Sequence, residues 1–196
     1  LCPLCHIYRR EVNVTSYVLK TMENDDMMLN LENQSMPQTG YILARSPDTG
    51  EWIEYQKNTS GSVNNIWVSL DKIPQAIKDA VISTEDREFY EHGGFNLRRT
   101  IGAAANEFLM FQDQFGASTI DQQLVKNLTK DDVVSEDGDR SAGYERKMRE
   151  IFRAVGLNNR YSKDQILEAY LNTMGLSGNI VGVQAGAREY FYKDVG

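Results

Sequence analysis

Helical periodicity, broken by cap and stop signals, constrains this chain more than any other feature of its sequence. In "IPQAIKDAVISTEDREFYEHGG", Ile77, Ala80, Val81 and Thr84 recur at the i, i+3, i+4, i+7 spacing of one helix face. Pro74 suits the first turn of that helix, and Gly93-Gly94 is its expected stop. A second helix is expected from Leu97 to Phe111, with Leu97, Ile101, Ala104, Ala105 and Phe108 inward. A third opens in "GASTIDQQLVKNL", where Thr119 and Gln122 have capping-box spacing and Ile120, Leu124 and Leu128 form the buried side. A fourth covers about Gly143 to Asn158, with Tyr144, Met148, Ile151 and Val155 as its apolar stripe. A fifth begins at Ser162, with Gln165 three residues on, and a sixth covers Val183 to Tyr192. The main body is therefore predicted to be helical.

Residues 1 to 70 read differently. Tyr41 to Ala44 and Trp52 to Tyr55 are β-prone runs around Pro47-Asp48-Thr49-Gly50, the pattern of a hairpin. "NTSGSVNN" reads as a loop and places a soft boundary near residue 70. At 196 residues the chain is long enough for one domain with a small appendage. No run of eighteen apolar residues exists to span a bilayer. The apolar-then-basic start, "LCPLCHIYRRE", reads as the stump of a membrane anchor or a remnant of cloning. Cys2, Cys5 and His6 have the spacing of a c-type haem attachment. No haem is expected, because a second axial ligand is needed and His92 is the only other histidine.

Charge narrows the function. The net charge of −7 argues against sequence-independent nucleic-acid binding. Yet Arg140, Arg146, Lys147, Arg149, Arg153, Arg160 and Lys163 form a basic stretch, preceded by an acidic loop from Asp131 to Asp139. Such a reversal points to a local anionic ligand or to a solvated helix face.

Three stretches carry candidate chemistry. On a helix at about 100° per residue, Glu85, Phe89 and His92 share a stripe. A carboxylate beside an aromatic ring at a helix end suits a general base, and an acidic surface helix with a core Phe89 and a capping His92 fits the same pattern. In "GASTIDQQLVKN", Thr119, Gln122, Gln123 and Lys126 form a polar stripe behind a helix start that could take an anion. In "ERKMREI", Arg146, Glu150 and Arg153 lie at i, i+4, i+7 with Lys147 beside Glu150. That spacing serves intrahelical ion pairs or a carboxylate held by cations next to a phosphate site.

Together, "EDREFYEHGGF", "GASTIDQQLVKN", "RKMREI" and "KDQILEAYLN" occur in the order, and near the spacing, of motifs in family 51 peptidoglycan glycosyltransferases. These are the polymerase domains of class A penicillin-binding proteins and the monofunctional transglycosylases. The chain resembles that family over about residues 65 to 195. The resemblance implies a mainly α, lysozyme-like fold with a large helical lobe and a small membrane-apposed lobe. Residues 1–64 would form an N-terminal segment with the hairpin, and 65–196 a glycosyltransferase domain incomplete at its C-terminus.

The resemblance also implies an activity: polymerisation of lipid II into β-1,4 glycan with inversion and release of undecaprenyl pyrophosphate. By it, Glu85 is the general base, and Glu150 positions the donor diphosphate or a divalent metal, magnesium or manganese. Lys126, Arg140 and Lys147 match the cations facing the pyrophosphate. Ser118, Thr119, Gln122 and Asn127 match polar positions of the cleft. Asp86, Phe89, His92, Gln123 and Arg146 lie inside the same motifs and complete the substrate-binding set. The implied partners are lipid II, the nascent glycan strand, the membrane surface and other cell-wall synthesis proteins, with no nucleic acid. The implied place is the extracytoplasmic face of a bacterial membrane, anchored by an N-terminal helix outside this chain.

Two features depart from the family pattern. A long acidic lead precedes the third motif, so the match of Arg140 depends on a loop alignment. The aromatic residues usual after Asn172 are missing. A non-catalytic cell-wall scaffold, an inactive fragment of the same fold or a lysozyme-like glycan-cleaving enzyme are the competing readings. The Gln, Lys and Arg equipment favours a diphosphate donor over a neutral glycan.

Overall fold

A computed structural model describes residues 29–33, 39–59, 64–100, 118–129 and 140–196. The described chain is mainly helical and is preceded by a hairpin, as expected. Strands β1 (Thr39–Arg45) and β2 (Trp52–Thr59) pair antiparallel from Thr39↔Thr59 to Arg45↔Trp52. The turn between them closes where the Gly50 amide donates to the Ser46 carbonyl, at the φ of +70° that glycine adopts without strain. The "NTSGSVNN" loop is partly corrected: Asn64–Asn65 form a buried strand, β3, pairing parallel with β5 (Ile180–Val181), which in turn pairs with β4 (Gly175–Ser177). Two long-range clamps hold the segment that follows. Asn172 accepts from the Val68 amide and donates to its carbonyl, both at 2.8 Å, while Glu168 accepts from the Leu70 amide.

The helical body comprises α1 (Gln75–Glu85), α2 (Ile120–Thr129), α3 (Arg140–Arg160), α4 (Lys163–Thr173) and α5 (Val183–Phe191). Both predicted capping boxes exist. Thr119 Oγ1 accepts from the Gln122 amide while Gln122 Oε1 accepts from the Thr119 amide, and Ser162 and Gln165 do the same at α4. The core lies between α2, α3 and α4. Ile120, Leu124, Leu157, Ile166, Leu167 and Leu171 are fully buried there with Phe89. Each large apolar side chain removed from water stabilises this packing by ~1.5–3 kcal/mol.

Three expectations are corrected. The first helix ends at Glu85 and not at Gly93-Gly94, because Asp86 leaves helical geometry at φ −157°, ψ 81°. Its buried carboxylate accepts from His92 Nε2 (2.8 Å), Arg99 Nη1 (3.2 Å) and the Ile120 amide (3.1 Å). That last donor is an orphan N–H of the first turn of α2, so a negative charge sits at the positive end of the helix. Residues 87 to 95 run as turns and bends across this junction, and Gly94 (φ +101°) passes so close to α3 that a Cβ would lie 2.6 Å from the Ala154 carbonyl oxygen. The second correction concerns α3. Among the described side chains of α3, Met148 is 37% exposed, Ile151 and Val155 are half-buried, and Ala154, which Gly94 approaches closely, and Leu157 are fully buried, while the Tyr144 side chain lies outside the described residues. The third is Leu97, which is 60% exposed where a helix begins. The rest of that expected helix, with Ile101, Ala104, Ala105 and Phe108, lies outside the described residues, as do Cys2, Cys5, His6 and the acidic loop.

Candidate functional site

Two hollows meet where α2 starts. The wider one, of about 790 Å³, is lined by Ser83, Thr84, Glu85, Arg87, Glu88, Arg98, Arg99, Ser118 and Gln123. Glu85 is the last residue of α1, so its backbone carbonyl is one that no helical amide reaches. Arg99 takes that carbonyl with both terminal nitrogens at 3.1 Å and bonds Asp86 with the same fork. The Glu85 carboxylate itself accepts from Gln123 Nε2 at 2.9 Å. The Gln123 carbonyl oxygen in turn accepts from the Tyr170 hydroxyl at 2.9 Å. Burial, with the charge of Glu85 adding to it, pushes the Tyr170 hydroxyl up to about 12, so Tyr170 is a proton donor at any physiological pH.

The narrower hollow, of about 220 Å³, lies between α2 and α3 and is lined by Ser118, Gln122, Gln123, Val125, Lys126, Thr129, Arg146, Lys147, Glu150 and Arg153. Four cations face one carboxylate. Lys147 Nζ bonds Glu150 Oε1 at 2.5 Å and donates to Ser118 Oγ at 2.9 Å. Gln122 is fully buried, and among the described residues its Nε2 has no hydrogen-bond partner. A buried amide donor without a partner carries a desolvation cost. Four cations and one carboxylate make the lining of the hollow net positive.

Ser118 and Gln123 belong to both walls, so the structure brings Glu85 and Glu150 to adjoining spaces. Lys126, Arg146 and Lys147 converge as expected, while the side chain of Arg140, the first residue of α3, lies outside the described residues. Asp86, Phe89 and Thr119 are fully buried and lie behind the hollows, and the His92 ring is turned onto Asp86. Asn127 lines neither space. The start of α2 does not itself present an open anion site. Its Ile120 amide is taken by Asp86 and its Gln122 amide by Thr119.

Two residues of the basic stretch, left open between an anion site and a solvated face, are engaged in the structure. Arg153 lines the narrow hollow. Lys163 lies 4.4 Å from the centre of the Phe89 ring and bonds Asp121 at 3.1 Å. Sequence reasoning missed Arg98, Arg99 and Tyr170. The Arg98-Arg99 pair, two and three residues after Asn96, carried a weak signal, whereas Tyr170 looks like any aromatic on a core helix.

For metals, the described residues offer one group of three ligands: Asp86, His92 and Asp121, whose ligand atoms lie within 4.8 Å of one another. Arg99 and Lys163 already bond those carboxylates, which makes the group a neutralised ionic core. Glu150 stands as a single carboxylate among cations, a set that does not fit a metal held by protein ligands alone.

The model of the Transglycosylase family matches residues 53–196. Penicillin-binding protein 4 of Bacillus subtilis (strain 168) is 34% identical over 168 residues, covering 86% of this chain and 25% of the relative. Penicillin-binding protein 1A of Clostridium botulinum (strain Langeland) is 34% identical over 146 residues, covering 72% of this chain and 17% of the relative. Penicillin-binding protein 1A/1B of Bacillus subtilis is 40% identical over 134 residues, covering 67% and 14%. The chain thus spans a quarter or less of the length of these curated relatives. By this match the chain belongs to the Transglycosylase family.

Proposed function

We propose that this chain is the polymerising unit of a peptidoglycan glycosyltransferase, acting on lipid II with inversion. The observation that carries the reading is the junction at Ser118 and Gln123, where the Glu85 hollow opens beside the cationic one. The donor's diphosphate would lie against Lys126, Arg146, Lys147 and Arg153. The acceptor's 4-hydroxyl would approach Glu85. As its O–H bond breaks, the proton passes to the Glu85 carboxylate and the oxygen forms the new bond to the anomeric carbon. The bond from that carbon to the diphosphate oxygen breaks, and its electron pair leaves with undecaprenyl pyrophosphate. Attack from the face opposite the leaving group converts an α linkage to a β-1,4 linkage. The cations stabilise the leaving charge where it develops. Glu150 holds Lys147 toward Ser118 and the diphosphate.

A hydrolase cutting a neutral glycan has no diphosphate to stabilise, so the cationic hollow speaks against it. No step is routed through a metal. Among the described residues no helix is long and apolar enough to cross a membrane, and work at the extracytoplasmic membrane surface follows from the lipid substrate. The nascent glycan strand and other cell-wall synthesis proteins are the partners this reading carries, with no nucleic acid.

Polymerisation of labelled lipid II by the full-length parent protein in detergent tests the proposal. Glu85→Gln keeps the shape but deletes the base, and loss of general-base catalysis costs about 10²–10⁴ in rate. Glu91, exposed and outside both walls, supplies the control Glu91→Gln, which stays active. Parental rates in both variants reject Glu85 as the base. A parent that makes no glycan where a known polymerase does favours the scaffold reading.

A further inference from the structure

Among the described residues, Gln123 is the side-chain partner that the Glu85 carboxylate has. An ionised carboxylate only accepts hydrogen bonds, so Gln123 must turn Nε2 toward it. An amide can rotate about its last bond and present its oxygen instead, which would push Glu85 away. What fixes the amide is the group on its other side. Tyr170 lies on α4 between the buried Leu167 and Leu171, is itself almost fully buried, and aims its hydroxyl at Gln123 Oε1. That hydroxyl donates to the carbonyl end of the amide, and together with the acceptor-only Glu85 carboxylate on the other side it favours this orientation over the turned one. The high value of the Tyr170 hydroxyl keeps that proton in place.

We propose that Tyr170 is a positioning residue for catalysis, which fixes the Gln123 amide so that Nε2 holds Glu85 Oε2 and leaves Oε1 to take the acceptor proton. This rests on Glu85 being the general base. Other charged groups face the same space: Arg87 and Glu88 from the turn after α1, Arg98 and Arg99 from the next segment, and Lys147 and Glu150 beyond Ser118. None of them contacts the Gln123 amide in a described hydrogen bond. The relay therefore has its own signature.

The test is the pH profile of lipid II polymerisation by the full-length parent, with kcat and KM separated and Tm measured in parallel. Tyr170→Phe keeps the ring and removes the hydroxyl. It should lower kcat about ten-fold with KM within about two-fold, and move the acid limb to higher pH by about one unit, as expected for losing a hydrogen bond to a charged group. Gln123→Leu leaves Tyr170 untouched and should move the acid limb the same way. In that background, adding Tyr170→Phe should change nothing further, because both act through one amide. A purely structural role would lower Tm and leave the acid limb in place. An unmoved limb in either single variant overturns the relay, and so does an undiminished Tyr170→Phe effect in the Gln123→Leu background. Failure of the general-base reading shows separately, as parental activity in Glu85→Gln.

Discussion

Glu85 and Glu150 lie on either side of Ser118 and Gln123, and they differ in what holds them. The Glu85 carboxylate is held by a neutral amide, and Arg99 in the same wall bonds the Glu85 backbone carbonyl and Asp86. Glu150 is bonded directly by an ammonium, with Arg146 and Arg153 in the same wall. A carboxylate with a neutral partner keeps a lone pair for an incoming proton. One bonded to Lys147 serves to aim that cation. Under the proposed function, two glutamates of like chemistry would take different duties from their neighbours, across a boundary formed by Ser118 and Gln123.

The strongest way to break the comparison is to remove the buried carboxylate that lies behind both hollows. Asp86→Ala takes the partner from Arg99, His92 and the Ile120 amide at once. Loss of a buried charge partner costs about 3–5 kcal/mol. Thermal unfolding should register it, and both lipid II turnover and diphosphate binding should fall together. A smaller change sharpens the division. Lys147→Gln should weaken inorganic pyrophosphate binding by about 10–100-fold, the worth of one charge-assisted hydrogen bond, while the acid limb assigned to Glu85 stays put. Calorimetric titration and the pH profile read the two effects separately.

A third prediction touches the Glu85 side alone. The Tyr170 hydroxyl is raised from its ordinary 10.0 to about 12, by burial first and Glu85 second. Because its folded value is raised, the stability from the neutral phenol is fully present below pH 10 and is lost as pH climbs through about 12. Tyr170→Phe should flatten that alkaline decline in Tm. The smallest effect lies far from both hollows. Hydrogen bonds from Arg188 and then Gln184 hold the Asp194 carboxyl below its usual 3.8, so its contribution is present above that value and fades as pH falls. The pair is largely exposed and solvent-screened, and Asp194→Asn should shift stability by only a few tenths of a kcal/mol with unchanged activity.

How far the sequence could be read follows from how local each determinant is. The hairpin and the two capping boxes depend on residues within a few positions of one another, and they formed where the pattern placed them. The end of α1 did not. A period count runs on through Phe89 to His92, but Asp86 breaks the helix for partners 6, 13 and 34 residues away. The same distance hid the burial of Thr119, whose hydroxyl bonds the Gly94 carbonyl. Lys126, Lys147 and Glu150 were legible as a cluster because they repeat on helix faces. Tyr170 was not, because nothing local distinguishes a core tyrosine from one whose hydroxyl reaches the Gln123 amide. The family match begins at residue 53, inside β2, where composition offered no cue.

The division of labour is tested most directly by measuring pyrophosphate affinity and glycan formation on the same preparation of Glu85→Gln in the full-length parent. The account predicts an affinity within about two-fold of the parental one, since the cationic wall is intact, together with a rate lowered by about 10²–10⁴. Pyrophosphate binding that collapses with Glu85→Gln, or glycan made at the parental rate, would contradict it.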